Sequence, residues 1–367
     1  MAADVLSRRA LNRVTMARQL LLQRSELETL AAIEHLVGLQ AQEPFDPYLA
    51  LWSRLEGIVP DDLAQLLIDR RAVRIPAMRS TVHLLSADDC LRLRPLVQPV
   101  LDAELNRHPM YGRALRGVDL APVLEAARAL LDEHPMTMAQ LRQQLGPQFP
   151  HLDSGAITYA CRNHLALVQI PPRGVWGQRR QVTLARAETW LGRPLEATPS
   201  VDEMVLRYLA AFGPALPADV AAWSRLTGFR EILERLRPRL RTFRDERGRE
   251  LFDVPDAPLP DPETPAPARV LPEYDNALLS HGDRSRYMPD DVARLAADLR
   301  VLGTVIDDGF LWATWWLERG DDAVTMVIRH LDVQRSRLTA IGAEAEQALA
   351  FLHPDVAVRD VRFEPAT

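Results

Sequence analysis

Apolar positions recur along this chain at two different spacings, and the change from one to the other divides it. From Val201 the run VDEMVLRYLAAF carries apolar residues at the three-and-four spacing of one helix face and stops at Gly213-Pro214. A second helix restarts in ALPADVAAWSRL, with Pro217 in its first turn, where a missing N–H leaves no hydrogen bond unmade. Gly228 interrupts it, FREILERLRPRL supplies a third helix, and LRTFRDERGRELFDV reads as two strands around a turn at Asp245 to Gly248. Three helices followed by a hairpin is the order of a winged helix, whose third helix can enter a DNA groove.

The same order recurs upstream. DLAPVLEAARALLDEH, TMAQLRQQL and LDSGAITYACRNHLA predict three helices from Asp119 onward, and the strands ALVQIPP and RRQVTLA bracket a loop at Arg173-Gly174 with Trp176 beyond it. A looser copy opens the chain, with helices near 8–22, 26–38 and 60–71 and a strand around 80–85. DAPLPDPETPAPA, from Asp256 to Ala268, has the composition of a semi-rigid linker. After it the period shortens. RVLPEY, VLGTVIDD, FLWATWWLE and AVTMVIRHL read as strands, and SRLTAIGAEAEQALAFLH as a helix. The fold expected is therefore α+β: winged-helix units over 1–116, 117–198 and 199–256, then a linker and a C-terminal β-rich α+β region over 257–367.

Composition narrows the function classes. No stretch approaches the roughly 18 uninterrupted apolar residues of a membrane span. The opening MAADVLSRRALNR lacks the apolar core of a secretory signal, and the two cysteines, Cys90 and Cys161, read as buried thiols, so a cytoplasmic protein is expected. The net charge of −6 argues weakly against nucleic acid, but between His151 and Leu195 Arg162, Arg173, Arg179, Arg180, Arg186 and Arg193 face only Asp153 and Glu188. That stretch is either a phosphate-attracting patch or a solvated surface balanced elsewhere. All 44 basic residues are arginine. Without a lysine amine, Schiff-base chemistry from a side chain is impossible, because a guanidinium stays protonated. Phosphate-binding loops, GxGxxG helix starts and GxSxG elbows are absent from the sequence.

Candidate chemistry sits in LVGLQAQEPFDPYL, residues 36–49. The preceding helix is expected to end near Gly38, ahead of Pro44 and Pro47. In extended backbone, residues two apart share a side, so Gln40 and Gln42 would present two amides together while Ala41 faces the protein. On a helix the two would diverge by roughly 200°. The plainer reading is that the amides satisfy backbone groups near the helix end.

Taken with two further segments, MRSTVHLLSADD and LPEYDNALLSHGDRSR, the run GLQAQEPFDPYLALWSRL resembles the winged-helix glycosylase family typified by AlkZ, with YcaQ as a more distant branch. The resemblance spans nearly the whole chain. It implies tandem winged helices around a DNA channel, and Gln40-Ala41-Gln42 at the position of the AlkZ branch's catalytic Gln-aliphatic-Gln motif. Implied with it are excision of N7-alkylated purines, unhooking of azinomycin-type interstrand crosslinks, double-stranded DNA carrying such lesions as partner, no cofactor, no metal, and a monomer. With no lysine, a monofunctional enzyme that leaves an abasic site is expected.

Around the two glutamines, DNA contacts are expected from Arg79 and His83 on a strand through 79–84, and from Asp275, Asn276, His281 and Arg284 in a loop bordering the channel. Arg162 and the second wing's Trp176, Arg179 and Arg180 complete the set. His83 reads equally as a hydrogen-bonded structural histidine, and Trp176 equally as packing between domains. Trp312, Trp315 and Trp316 read as core. Fold alone would favour a non-catalytic winged-helix regulator, and a protein that sequesters the genotoxin is a third reading.

Overall fold

The computed structural model describes residues 4–288, 292, 302–330 and 335–366. The third unit follows the sequence pattern closely. Helices Val201–Phe212, Pro217–Ser224 and Phe229–Leu236 lead into the hairpin Arg241–Asp245 and Glu250–Asp253. Ser200 caps the first helix by accepting from the Glu203 N–H, satisfying one of the donors a helix start leaves unpaired. Tyr208, Phe212 and Trp223 pack against one another beneath it, all fully buried.

The units are not strung out as separate beads. Among the described residues three sheets form, and two of them join distant stretches of chain. Strand Val5–Leu6 adds in parallel to the hairpin of the third unit. A five-stranded sheet runs in the order Leu39–Gln40, Val82–Ser86, Ala72–Pro76, Leu167–Gln169, Leu184–Arg186, so the first and second units share it through the Arg74–Gln169 register. The second unit contributes helices Ala121–Glu133, Met138–Leu145 and Ser154–His164, as its periodicity predicts.

The first helix, Arg8–Arg18, ties the molecule together. Arg18 pairs with Asp253 through two hydrogen bonds of 2.6 and 2.8 Å, both side chains buried. Arg9, Arg13 and Arg18 donate to the carbonyls of Pro262, Thr264 and Pro258, so the proline-rich stretch lies along this helix. The C-terminal sheet pairs Arg269–Leu271, Gly303–Asp307, Phe310–Arg319 and Ala323–His330 antiparallel, the four strands expected. Helix Arg335–Leu352 then crosses back and strand Val358–Pro365 adds in parallel, an edge strand the sequence reading missed. Trp312 and Trp315 are buried in this region, as expected of core residues.

One helix was not foreseen, and one local expectation was wrong. Asp46–Trp52 is a helix with Pro47 in its first turn, where the ring is tolerated, so the prolines there start a helix as well as ending one. The strand expected from Arg79 begins only at Val82. Residues 78–80 form a tight turn in which Arg79 and Ser80 have φ of 57° and 60°.

Candidate active site

Helix Thr29–His35 ends where Val37 and Gly38 take positive φ, 55° and 83°. A Cβ on Gly38 would lie 2.3 Å from Leu85 Cδ2 and 2.9 Å from the Leu84 carbonyl, so only glycine allows the chain to pass so close to its neighbouring strand. The chain then enters Leu39–Gln40, which pairs with Leu84 and His83. Ala41 is 0% exposed and Gln40 7%, both buried, while Gln42 is on the surface.

Side chains from far away in sequence hold this short segment. Asn276 Nδ2 donates to Gly38 O at 2.6 Å, and its Oδ1 accepts from the Gln40 N–H at 3.3 Å. Arg74 Nη2 donates to Ala41 O at 2.9 Å, and Nη1 to Pro44 O at 3.4 Å. Burial pushes the Arg74 guanidinium down to about 10, with Arg173 acting in the same direction. Ala41 N donates to Val82 O, while the Val82 N–H makes a long contact of 3.4 Å to Gln42 Oε1. Arg74 and Asn276 thus fix the backbone on either side of Gln40 and leave the two amide side chains as the variable part.

Gln40 Oε1 accepts from Arg79 Nη2 at 2.6 Å. The same guanidinium donates to Trp223 O at 2.8 Å and approaches His83 Nε2 at 3.4 Å. His83 Nδ1 lies 3.0 Å from Thr81 O, which can only accept, so Nδ1 carries the proton and Nε2 offers its lone pair to Arg79. Burial, then the Arg79 charge, lowers His83 to about 3, and the ring is neutral at physiological pH.

The segment 275–286 corrects the expectation of direct DNA contact. Asp275 is buried in a two-fold hydrogen-bonded pair with Arg54, at 2.7 and 2.9 Å, and also caps helix Asn276–Leu279 through the Ala277 N–H. His281 is buried between Phe212 O at 3.1 Å and Ser280 Oγ at 3.0 Å, and burial lowers it to about 3. Asn276 is 3% exposed and His83 0%. These four groups are buried and hydrogen-bonded within the protein in this arrangement. Arg284 is exposed.

In the loop between Leu167–Gln169 and Leu184–Arg186, Trp176 packs with its ring centroid 4.8 Å from Tyr48 and 5.7 Å from both Phe45 and Phe351. That is the packing reading of this residue. Arg179 and Arg180 are exposed; Arg179 stacks over Phe45 at 4.7 Å and lies 3.9 Å from Glu43. Arg162 is partly buried, over the Tyr159 ring. Part of the basic stretch is balanced locally, since Arg186 pairs with Asp132 and Glu188, and Arg193 with Asp88. A cleft of about 690 Å³, which neither glutamine lines, is bordered by Glu43, Asp46, Glu273 and the tryptophans 315 and 316. Burial and the charges of Glu273 and Glu43 raise Asp46 to about 8. Among the described residues no group of three His, Cys, Asp or Glu is placed to hold a metal, and no helix is long and apolar enough to cross a membrane.

Arg74 and Arg54 were not anticipated. Each carried a signal: Arg74 interrupts the apolar strand AVRIP, and Arg54 follows the helix YLALW on its buried side.

An extended strand carrying Gln40, beside a buried arginine network and within a mixed helix-and-sheet frame, makes a preformed polar site. The sequence profile described as DNA glycosylase AlkZ-like matches residues 33–351, and the chain belongs to that family of DNA glycosylases. Its fold is similar to that of the Streptomyces sahachiroi DNA glycosylase AlkZ, with a TM-score of 0.75 over 99% of this chain and 100% of that one, at 20% identity. No curated protein matches the chain in sequence.

Proposed function

We propose that this DNA glycosylase hydrolyses the N-glycosidic bond of N7-alkylated purines in duplex DNA, including purines joined in azinomycin-type interstrand crosslinks, and leaves an abasic site. The three helix-and-strand units are read as winged helices of a monomer that holds one duplex, with Arg79, Arg162, Arg179, Arg180 and Arg284 as its phosphate contacts. The observation that carries the reading is the pair Gln40 and Gln42, set on extended backbone with Ala41 between them turned into the core.

Alkylation at N7 puts a positive charge on the purine, so departure needs no enzymic acid. The N9–C1′ bond breaks with its electron pair going to the base, whose charge it cancels. Water oxygen bonds to C1′ and its proton passes to solvent. The amide oxygens of Gln40 and Gln42 orient that water and face the positive charge that develops on the sugar. Glutamine is a poor base, which restricts the enzyme to labile, cationic lesions. With no lysine in the chain, strand cleavage through a side-chain Schiff base is not expected.

The test is release of free base from duplex DNA containing N7-methylguanine. Wild type should release it, and Gln40→Ala and Gln42→Ala should each slow release about a hundredfold or more, as loss of a transition-state dipole does, with DNA binding retained. Intact binding without release by the wild type would instead favour a winged-helix regulator.

A further inference from the structure

Among the described residues Arg79 has no carboxylate partner. Its three hydrogen-bonding partners, Gln40 Oε1, Trp223 O and the His83 ring, are all neutral. The charges that bear on it are those of Arg225 and Arg284. With burial, these lower it to about 10. Some enclosed arginines of this molecule take a carboxylate, Arg54 with Asp275, Arg18 with Asp253 and Arg207 with Asp89, whereas Arg74 and Arg94, like Arg79, bond neutral groups; what sets Arg79 apart is that it holds the Gln40 amide beside two exposed arginines. The backbone beneath Arg79 is also unusual. Arg79 and Ser80 are consecutive non-glycine residues in the left-handed region, a conformation that persists only where its surroundings enforce it. Arg225, likewise at positive φ, and Arg284 are exposed, so the positive charge runs from the surface inward to the catalytic amide.

We propose that Arg79, Arg225 and Arg284 form a subsite for one backbone phosphate of the lesion-bearing duplex, and that filling it makes Gln40 competent. This rests on the glycosylase reading above. In the free protein the Gln40 carbonyl is engaged by a guanidinium, which draws on the oxygen that should face the sugar. The same positive charge repels the oxocarbenium-like centre as it forms. A phosphate changes both. It offers the planar guanidinium a two-fold, charge-assisted partner, which competes for Nη2 and neutralises the charge. Gln40 Oε1 is then free to turn to the water or the sugar. Because the phosphate belongs to the duplex, the amide is released only when DNA is seated.

The experiment uses the full chain and N7-methylguanine duplexes in which one phosphate near the lesion is replaced by an uncharged methylphosphonate, one position per duplex. Base release is read in single turnover with enzyme in saturating excess. One position should slow the wild type at least tenfold. Arg79→Met should be slower than wild type on the ordinary duplex, indifferent to the methylphosphonate at that position within about threefold, and faster than wild type on that modified duplex. A purely structural role for Arg79, or a role in affinity alone, does not produce that rescue. Equal slowing of both proteins would overturn the proposal. So would a scan in which no position slows the wild type, a result that needs no variant to fold. Failure of the wild type to release base from the ordinary duplex would remove the glycosylase reading and this inference with it. Release without any sensitive position removes this inference alone.

Discussion

Two polar segments meet at Gln40, and they differ in how completely the protein satisfies them. Residues 275–286 are rich in acid, histidine and arginine, and apart from the exposed Arg284 their charged groups and amide are answered from within: Asp275 by Arg54, Asn276 by Gly38 and Gln40, His281 by Phe212 and Ser280, Asp283 by Arg247 and Arg249, Arg286 by Thr15 and Pro214. Residues 79–83 are less polar, but they keep a guanidinium with neutral partners on a strained turn. Polar density in a sequence does not by itself mark a segment open to a ligand. The first segment is a keystone, and the second is where something from outside is called for.

The comparison is broken most directly through Asp275. Removing it in Asp275→Ala strands Arg54, whose side chain is fully enclosed, and also uncaps the helix that carries Asn276. Breaking a buried pair from one side costs about 3–5 kcal/mol, read as a lower midpoint in denaturant unfolding. The double replacement Arg54→Met with Asp275→Leu removes both charges and should lose much less. Equal losses would mean that the pair's worth lies in packing and not in mutual compensation.

Acid sharpens the comparison, because both segments contain a buried neutral histidine. The folded values of His83 and His281, near 3, lie below the ordinary 6.5, so the unfolded chain binds more protons between those values. Their contribution is complete above pH 6.5 and is lost as pH falls toward 3. At pH 5 the loss is about 2 kcal/mol for each. Asp46, raised to about 8, acts with the opposite sign over part of this range, so the histidine effect is read as a difference. Between pH 7 and pH 5, His281→Gln should lose about 2 kcal/mol less stability than the wild type. Parallel profiles would show that His281 is not held neutral.

How much of this was legible beforehand depended on range. The third unit and the C-terminal strands follow from periodicity and turn residues, which act over a few positions. That Ala41 turns into the core was legible for the same reason. The helix that follows went unforeseen, because a proline read as ending one helix also suits the first turn of the next. The strand expected through Arg79 gave way to a turn held by Trp223, 144 residues away. The roles of Asp275 and His281 were misread because their partners, Arg54 and Phe212, lie 221 and 69 residues off. Which polar residue is answered, and which is left waiting, is set by contacts that no local pattern encodes.

The smallest expected effect is the most discriminating. If Arg79 were a structural bolt like Arg54, Arg79→Met would cost several kcal/mol. Here the lost hydrogen bonds to Gln40 and Trp223 are offset by removal of a partly buried charge that Arg225 and Arg284 oppose. An intramolecular hydrogen bond contributes only about 0.5–1.5 kcal/mol net, somewhat more to a charged group, so stability should stay within about 1 kcal/mol of wild type. Thermal and denaturant unfolding of the variant without DNA reads this directly. A loss beyond about 2 kcal/mol would place Arg79 with the keystone residues and dissolve the contrast between the two segments. A near-neutral change, beside a clear loss of base release, would show that the molecule retains this arginine for its substrate and not for its fold.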